Sequence, residues 1–332
     1  MNDSTKGFVQ AMATTKTQTL PRWTGRHWRG FVREYFVYIA LVVLLIFFSL
    51  ASPYFLSAQN FANIGRQTAV VSVIAVGMTF VVITAQIDLS VGSTFALCGM
   101  ASAIIMQNVA NFWLLGAAAA IAIGMVFGYI NGFVTVKLGV PSFLVTLGMA
   151  GVARGIALLV TDTHPVLIAN DTYFQVFGEG TFLGIPVSLV WTLIAVAVGI
   201  LLLHKSVFGL RVFATGGNVM AARYTGVNTK RTVVVSFVIT GALVGLSSLL
   251  FTGIAQAARP DLGVGTELDV IAAVILGGVS LFGGRGTIVG AIAGSVIIGV
   301  VNNGLVLLGV NSSIQEIIKG LVIIAAVSLS KK

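Results

Sequence analysis

The sequence predicts an all-α membrane protein of about ten transmembrane helices, with both termini in the cytoplasm. Three observations carry that reading. Hydrophobic residues make up 57% of the chain and charged residues 9%, whereas a soluble domain uses roughly 25% charged residues to cover its surface. Apolar runs near the 17 to 25 residues that a helix needs to cross a bilayer recur along the chain. Basic residues fall in the tail and in alternate loops, the bias that orients membrane helices.

Residues 1–34 read as a polar, cytoplasmic tail carrying Lys6, Lys16, Arg22, Arg26, Arg29 and Arg33. The apolar run from Tyr35 to about Leu50 is close to span length, which favours an uncleaved first helix over a secretory signal. A transmembrane domain over 35–330 then takes further spans at 67–85, 89–107, 112–136, 142–160, 187–204, 231–254, 267–282, 287–308 and 312–329, of which 267–282 is short. With the N-terminus inside, Lys137, Arg285, Lys331, Lys332 and the basic residues of 205–231 all fall inside, and Asp88 is the exception. The outer loops keep only Arg66 and Arg259 as cations, and the longest of them, 161–186, has Asp162, Asp171 and Glu179 but no Lys or Arg. An odd number of spans would place one terminal cluster on the wrong side.

The 39 glycines let helices approach closely where lipid supplies no push between them, as in the pairs Gly124/Gly128, Gly151/Gly155, Gly241/Gly245 and Gly290/Gly294. Residues 124–142 also echo 294–312: Asn131 or Asn302 precedes Gly132 or Gly304, and Gly-Val and Ser follow. That is either the composition of Gly-Val-rich helices or an internal duplication of the kind found in many transporters.

Much chemistry is excluded. The formal charge of +9 sits in the tail and the loops, so it marks topology and not nucleic-acid binding. Cys98 is the single cysteine, which rules out an intrachain disulfide and a cysteine-built zinc site. No Gly-Lys dipeptide occurs, so there is no phosphate-cradling P-loop. His27, His164 and His204 have no paired metal spacing, and no serine stands in GxSxG. The chain is expected to be no enzyme and to hold no cofactor or metal of its own.

The longest polar island inside the apolar sequence is 205–231, with Lys205, Arg211, Arg223, Lys230 and Arg231 and no acid. Asn218 and Gly226 read as the cap and the stop of a short helix. The segment is either a docking helix or a basic loop that holds topology. Within the apolar regions, Asp88 is either a helix cap at the inner edge or part of an ordered turn at an inner gate, with Ser90 beside it. Asn131, Asn302 and Asn303 either tie helices together or line a pathway. Arg154 lies in the fifth span, and Glu316 with Lys319 is spaced for an ion pair on one helix face. No membrane acid is evident without a cationic neighbour, which weighs against an ion-coupled secondary transporter.

Four blocks carry a resemblance: QIDLSVGS (86–93), NGFVTVKLGVPSFLVTLG (131–148), GLRVFATGGNVMAARYTGV (209–227) and the glycine-rich 267–304. On these the chain resembles the inner-membrane permease family of bacterial ATP-binding-cassette importers for simple sugars, the ribose type, over about 60–330. The resemblance implies a multi-pass protein of the bacterial inner membrane that translocates a monosaccharide delivered by a periplasmic binding protein. A nucleoside, a polyol or a branched-chain amino acid is the alternative cargo. It also implies a separate ATPase subunit that uses ATP and magnesium, and a second permease chain, identical or paralogous. The segment 205–231 would then hold the coupling helix, on Gly216, Gly217, Asn218, Ala221, Ala222, Arg223 and Gly226. The family often has an acid after the Asn; Val219 and Met220 stand there instead. Asp88, Ser90, Asn131, Phe143, Thr146, Asn302 and Asn303 are the expected path or inner-gate residues, and Arg66 and Arg259 the expected contacts for the binding protein.

Overall fold

The computed structural model describes residues 25–109 and 112–330. Most of the expected basic tail, along with Lys331 and Lys332, lies outside the described residues. The chain divides after Phe36, and the architecture below is that of the unit from Val37 onward, which the helix α1 (Gly25–Ala51) enters.

Helices dominate because the bilayer leaves a backbone no other partner for its polar groups. In order they are α2 (Ala58–Ile83), α3 (Val91–Asn108), α4 (Trp113–Leu138), α5 (Ser142–Leu159), α6 (Val187–His204), α7 (Val207–Gly217), α8 (Val219–Tyr224), α9 (Thr229–Ala255), α10 (Thr266–Leu276), α11 (Ile288–Leu307) and α12 (Ser312–Ser330). Among the described residues, six of these (α2, α4, α5, α6, α9 and α11) are long and apolar enough to cross a membrane. The run expected at 267–282 forms an eleven-residue helix, about 16 Å long, which is too short to span. Gly277 and Gly278 stop it, the latter at φ +84°.

Two runs of elements have matching form. Each begins with a long helix (from Ala58 or Thr229), passes a break into a shorter one (from Val91 or Thr266), and continues into a long helix. Each then turns at a left-handed glycine, Gly139 at φ +68° or Gly309 at φ +70°, into a last helix from Ser142 or Ser312. The contacts match as well. α9 lies along α4 as α2 lies along α11, and α2 and α9 pack on each other at the centre.

Glycine sets those spacings. A Cβ on Gly124 or Gly241 would overlap the other's carbonyl, and one on Gly294 would overlap the carbonyl of Ala273. A Cβ added at Gly151 or Gly155, also expected to pair helices, would meet no other part of the described residues within 4 Å. The core around α2 and α9 includes fully buried Phe80, Phe237, Leu249 and Cys98.

The segment 160–186 is folded over one end of α9. Strand β1 (Val166–Leu167) pairs antiparallel with β4 (Ala257–Ala258), and β2 (Thr181–Phe182) with β3 (Ile185–Pro186). Tyr173 is buried there, its hydroxyl 2.6 Å from Thr252 Oγ1, and Trp191 Nε1 donates to the Val176 carbonyl.

Candidate functional site

The polar island 205–231 forms a bent pair of helices at the other end of α9. Ser206 caps α7, its Oγ accepting from Gly209 N. Asn218, at φ −158°, closes α7 and opens α8, and its Oδ1 accepts from Ala221 N at 3.0 Å. Gly226, at φ +83°, ends α8. Its N–H donates to Arg223 O and that of Val227 to Ala222 O, each at 3.0 Å, the bond pair of a Schellman stop.

The residues singled out by sequence divide between two faces. Ala222 is buried, and Gly216 is pressed against the chain. Gly217, Asn218, Ala221, Arg223 and Gly226 are exposed. Arg223 Nε donates to Thr229 Oγ1 at 3.1 Å. Beside them Val219, Met220 and Tyr224 also stand exposed, Tyr224 by 85%, so the outer surface is apolar with a basic rim.

Gly216 joins this pair of helices to the rest of the molecule. A Cβ there would collide with the carbonyl of Ile83, the last residue of α2, and with Gly284 N. The same carbonyl accepts from Gly284 N at 2.9 Å. The last carbonyl of α2 is therefore held by backbone, between α7 and the glycine loop after α10, and Phe80 near that end stacks on Phe208 of α7.

Beyond Ile83 the chain leaves helical form for residues 84–90, and the expected gate residues gather in this break. Asp88 Oδ1 accepts from Ser90 N at 2.8 Å and from Ser90 Oγ at 2.6 Å. Asn131 Nδ2, from α4, donates to Ser90 Oγ at 2.8 Å. Two hydroxyls from α5 take the neighbouring amides: Ile87 N donates to Ser142 Oγ and Leu89 N to Thr146 Oγ1, each at 3.0 Å. Asp88, Ser90, Asn131, Ser142 and Thr146 are all buried.

Asp88 does not cap α3. Ser90 holds that position with no side-chain cap bond, and Asp88 ties the turn ahead of it. Its hydrogen-bond partners are neutral, so the expectation of no membrane acid without a cationic neighbour is corrected here.

Of the other expected path residues, Phe143 follows Ser142 on α5, and Asn303 is not brought to this break. The Phe143 side chain is 47% exposed. Asn303 lies by the start of α2, where its Nδ2 donates to Asn60 Oδ1 at 2.9 Å, and buried Asn302 Oδ1 has no partner among the described residues.

The two expected docking cations also stand differently. Arg66, expected in a loop, lies inside α2, which starts earlier than expected because Ser57 caps it through Asn60 N. Arg259 is exposed but bound in both directions of its fork to Asp261, at 3.0 and 2.6 Å. That bond holds the Asp261 carboxyl below the usual carboxylate range. The expected Glu316–Lys319 pair is not formed either. Lys319 Nζ reaches Asp269 Oδ2 on α10 at 2.9 Å, because α12 packs on α10 and Asp269 points at the shared face.

Sequence reasoning missed Ser142, which shows no sequence signal beyond being a polar residue after Pro141. It also missed a repeat that was visible. Asp88-Leu89-Ser90-Val91-Gly92-Ser93 recurs as Asp261-Leu262-Gly263-Val264-Gly265-Thr266, each leading from a break into the shorter helix of its run. The two copies meet: a Cβ on Gly92 would strike Gly263 O, and one on Gly263 would strike Gly92 O. Paired interruptions at matching places in two halves are a known pointer to the working centre of a transporter. An apolar cavity between α2, α6 and α9, lined by Val76, Phe80, Ile194, Val198, Ile239 and Leu243, offers nothing to a polar solute.

Residues 60–327 match the family described as the branched-chain amino acid transport system / permease component. The ribose import permease protein of Haemophilus influenzae is 40% identical over 272 residues, 81% of this chain and 84% of its own length. That of Bacillus subtilis is 42% identical over 278 residues, 82% of this chain and 85% of its own. The D-allose transport system permease protein of Escherichia coli is 35% identical over 262 residues, 79% and 80% of the two chains. No solved structure matches. The likeness drawn from the four sequence blocks thus extends over nearly all the described helices, and the chain belongs to the permease-component family of these transport systems.

Proposed function

We propose that this chain is the membrane permease subunit of an ATP-driven importer that takes up a monosaccharide of the pentose or hexose kind. It would be a multi-pass protein of the bacterial inner membrane, with a separate ATPase subunit using ATP and magnesium inside and a periplasmic binding protein delivering the sugar outside. Sugar is favoured over a nucleoside, a polyol or a branched-chain amino acid because the similar permeases are named for ribose and D-allose. The observation that carries the reading is the seat of α7 and α8: an exposed apolar and basic surface on one side, and the end of a broken membrane helix on the other.

In this reading the ATPase grips α8 through Val219, Met220 and Arg223, and its closure pushes Gly216 against the end of α2. The break at 84–90 shifts, and the path opens to one side and then the other. A neutral, hydroxyl-rich cargo needs no fixed charge in its path, and a very firm site would trap it. The open face of α5 at Gly148, Gly151 and Gly155 supports a second permease chain packing there, since a lipid-facing helix gains nothing from bare backbone. The topology that goes with this reading has about ten crossings with both termini inside, the crossing at α10 completed by the glycine loop after it, which reaches the Ile83 carbonyl through Gly284 N. The break after α9 would face outward, where Arg259 is already neutralised by Asp261, which leaves Arg66 as the cation to meet acidic groups on the binding protein.

A second reading, an ion-coupled transporter, draws on one observation: Asp88 is buried without a cationic partner. Liposomes decide between the two. With the ATPase, the binding protein and ATP present, labelled ribose should accumulate inside. Uptake by this chain alone, driven by a proton or sodium gradient, would overturn the importer reading.

A further inference from the structure

The break at 84–90 has two anchors of different kinds. At its start the Ile83 carbonyl is fixed to the glycine loop through Gly284 N, 2.9 Å away, with Gly216 of α7 packed on the same atom. Further along, alternate amides at Ile87 and Leu89 donate to Ser142 Oγ and Thr146 Oγ1, both at 3.0 Å. The spacing has a geometric cause. Residues i and i+2 of an extended chain are separated by about 6.5 Å, and positions i and i+4 of a helix by about 6 Å along its axis, so one helix face can serve both amides. In the break, α5 therefore takes the place of a neighbouring strand, supplying hydroxyl oxygens where a strand would supply carbonyls. Asp88, between the two amides, turns back to Ser90 and leaves them free to bond outward.

We infer that Ser142 and Thr146 are positioning residues for transport: a two-hydroxyl latch through which movement at α7 is passed to α5. This rests on the importer reading above. The observations behind it are independent of the family. Pushing on Gly216 moves Ile83 directly, because there is no side chain between them to yield. From Ile83 the displaced backbone runs four residues to the first latched amide. Ser142 and Thr146 share the buried face of α5 with Ala153 and Ala157, while Gly148, Gly151 and Gly155 are open. A pull on the latch thus turns a helix whose other side, at these glycines, is open among the described residues. Asn131 holds Ser90 from α4 and keeps the turn from slipping along α5.

The test uses the complete transporter in liposomes, with wild type establishing ATP-dependent ribose uptake. That control fails if the importer reading is wrong, whatever the latch does. The variant Ser142→Ala/Thr146→Val keeps the shape of the face and removes both acceptors. Sugar taken up per ATP hydrolysed is expected to fall roughly tenfold, with ATP hydrolysis itself changed less than about twofold. Ser142→Thr and Thr146→Ser, which restore a hydroxyl, should each keep the wild-type ratio. An unchanged ratio in the double variant would overturn the proposal, as would uptake and hydrolysis falling together. Should the double variant not assemble, hydrogen exchange on the wild-type complex decides: protection of the Ile87 and Leu89 amides should differ between ATP-bound and nucleotide-free states. Equal protection in both would refute the latch.

Discussion

Asn218 and Gly226 each perform a backbone task that few other residues can. Asn218→Ala removes the acceptor for Ala221 N, at a cost of about 1 kcal/mol to so short a helix. Capture of the ATPase subunit should weaken by roughly fivefold in a binding titration, and Asn218→Asp should restore most of it. Gly226→Ala places a Cβ at φ +83°, a conformation costing about 1 kcal/mol for an ordinary residue, and the same titration should show a similar loss. At the far end of α2, Asn60 and Asn303 bind each other in a buried setting. Single Ala variants should lower the melting temperature in detergent, and a double-mutant cycle should return a coupling of about 0.6 to 1.5 kcal/mol. The cap and the stop of α8 were legible because Asn and Gly have specific local uses. The bond from Asn131 to Ser90 and the partners of Asn303 and Lys319 were not, because each comes from another helix and sequence spacing measures only one.

Helices in this chain come near each other where glycine permits. Gly124→Ala would drive a Cβ into the Gly241 carbonyl, and overpacking of that kind costs about 1 to 3 kcal/mol. The expected result is a clear fall in melting temperature. Gly151→Ala has open space and a gain in helix propensity of up to about 1 kcal/mol, so the isolated chain should melt no lower. If a second chain packs on α5, Gly151→Leu should reduce its association in a crosslinking assay while leaving the single chain folded. Element bounds were legible to within a few residues where an apolar run met a polar edge, as at Val187–His204. The run expected at 267–282 failed because residues 277–282 are largely apolar by composition while Gly278 stands at φ +84°, so hydropathy continued past the end of the helix. Lys319 shows the related error. Helical spacing offered Glu316, whereas Asp269 of α10 makes the bond at 2.9 Å. Replacing Lys319 with Met should destabilise more than replacing both members of that pair together, because the single change leaves a carboxylate only partly exposed and uncompensated.

At the level of the whole molecule, the two runs of helices cross at Gly92 and Gly263, and the two ends of α9 carry different structures. Short strands and the Tyr173 anchor sit at one end, and the α7–α8 pair at the other. The all-helical membrane class was evident from composition. The matching of the two runs is only half visible in apolar patterning, which shows the echo at 124–142 and 294–312 but not the stronger one at Asp88 and Asp261. Periodicity favours long apolar stretches, while the repeat that places the two breaks together is short and polar. The topology has a direct test. Tyr224→Cys and Leu183→Cys put thiols at positions exposed by 85% and 88%, at opposite ends of the molecule. An impermeant maleimide added to intact spheroplasts should label the second and spare the first until the membrane is opened. Cys98 makes that experiment simple. It is enclosed in α3 with no accessible surface, so the unaltered chain serves as its own blank and each introduced thiol reports alone, with no background to subtract.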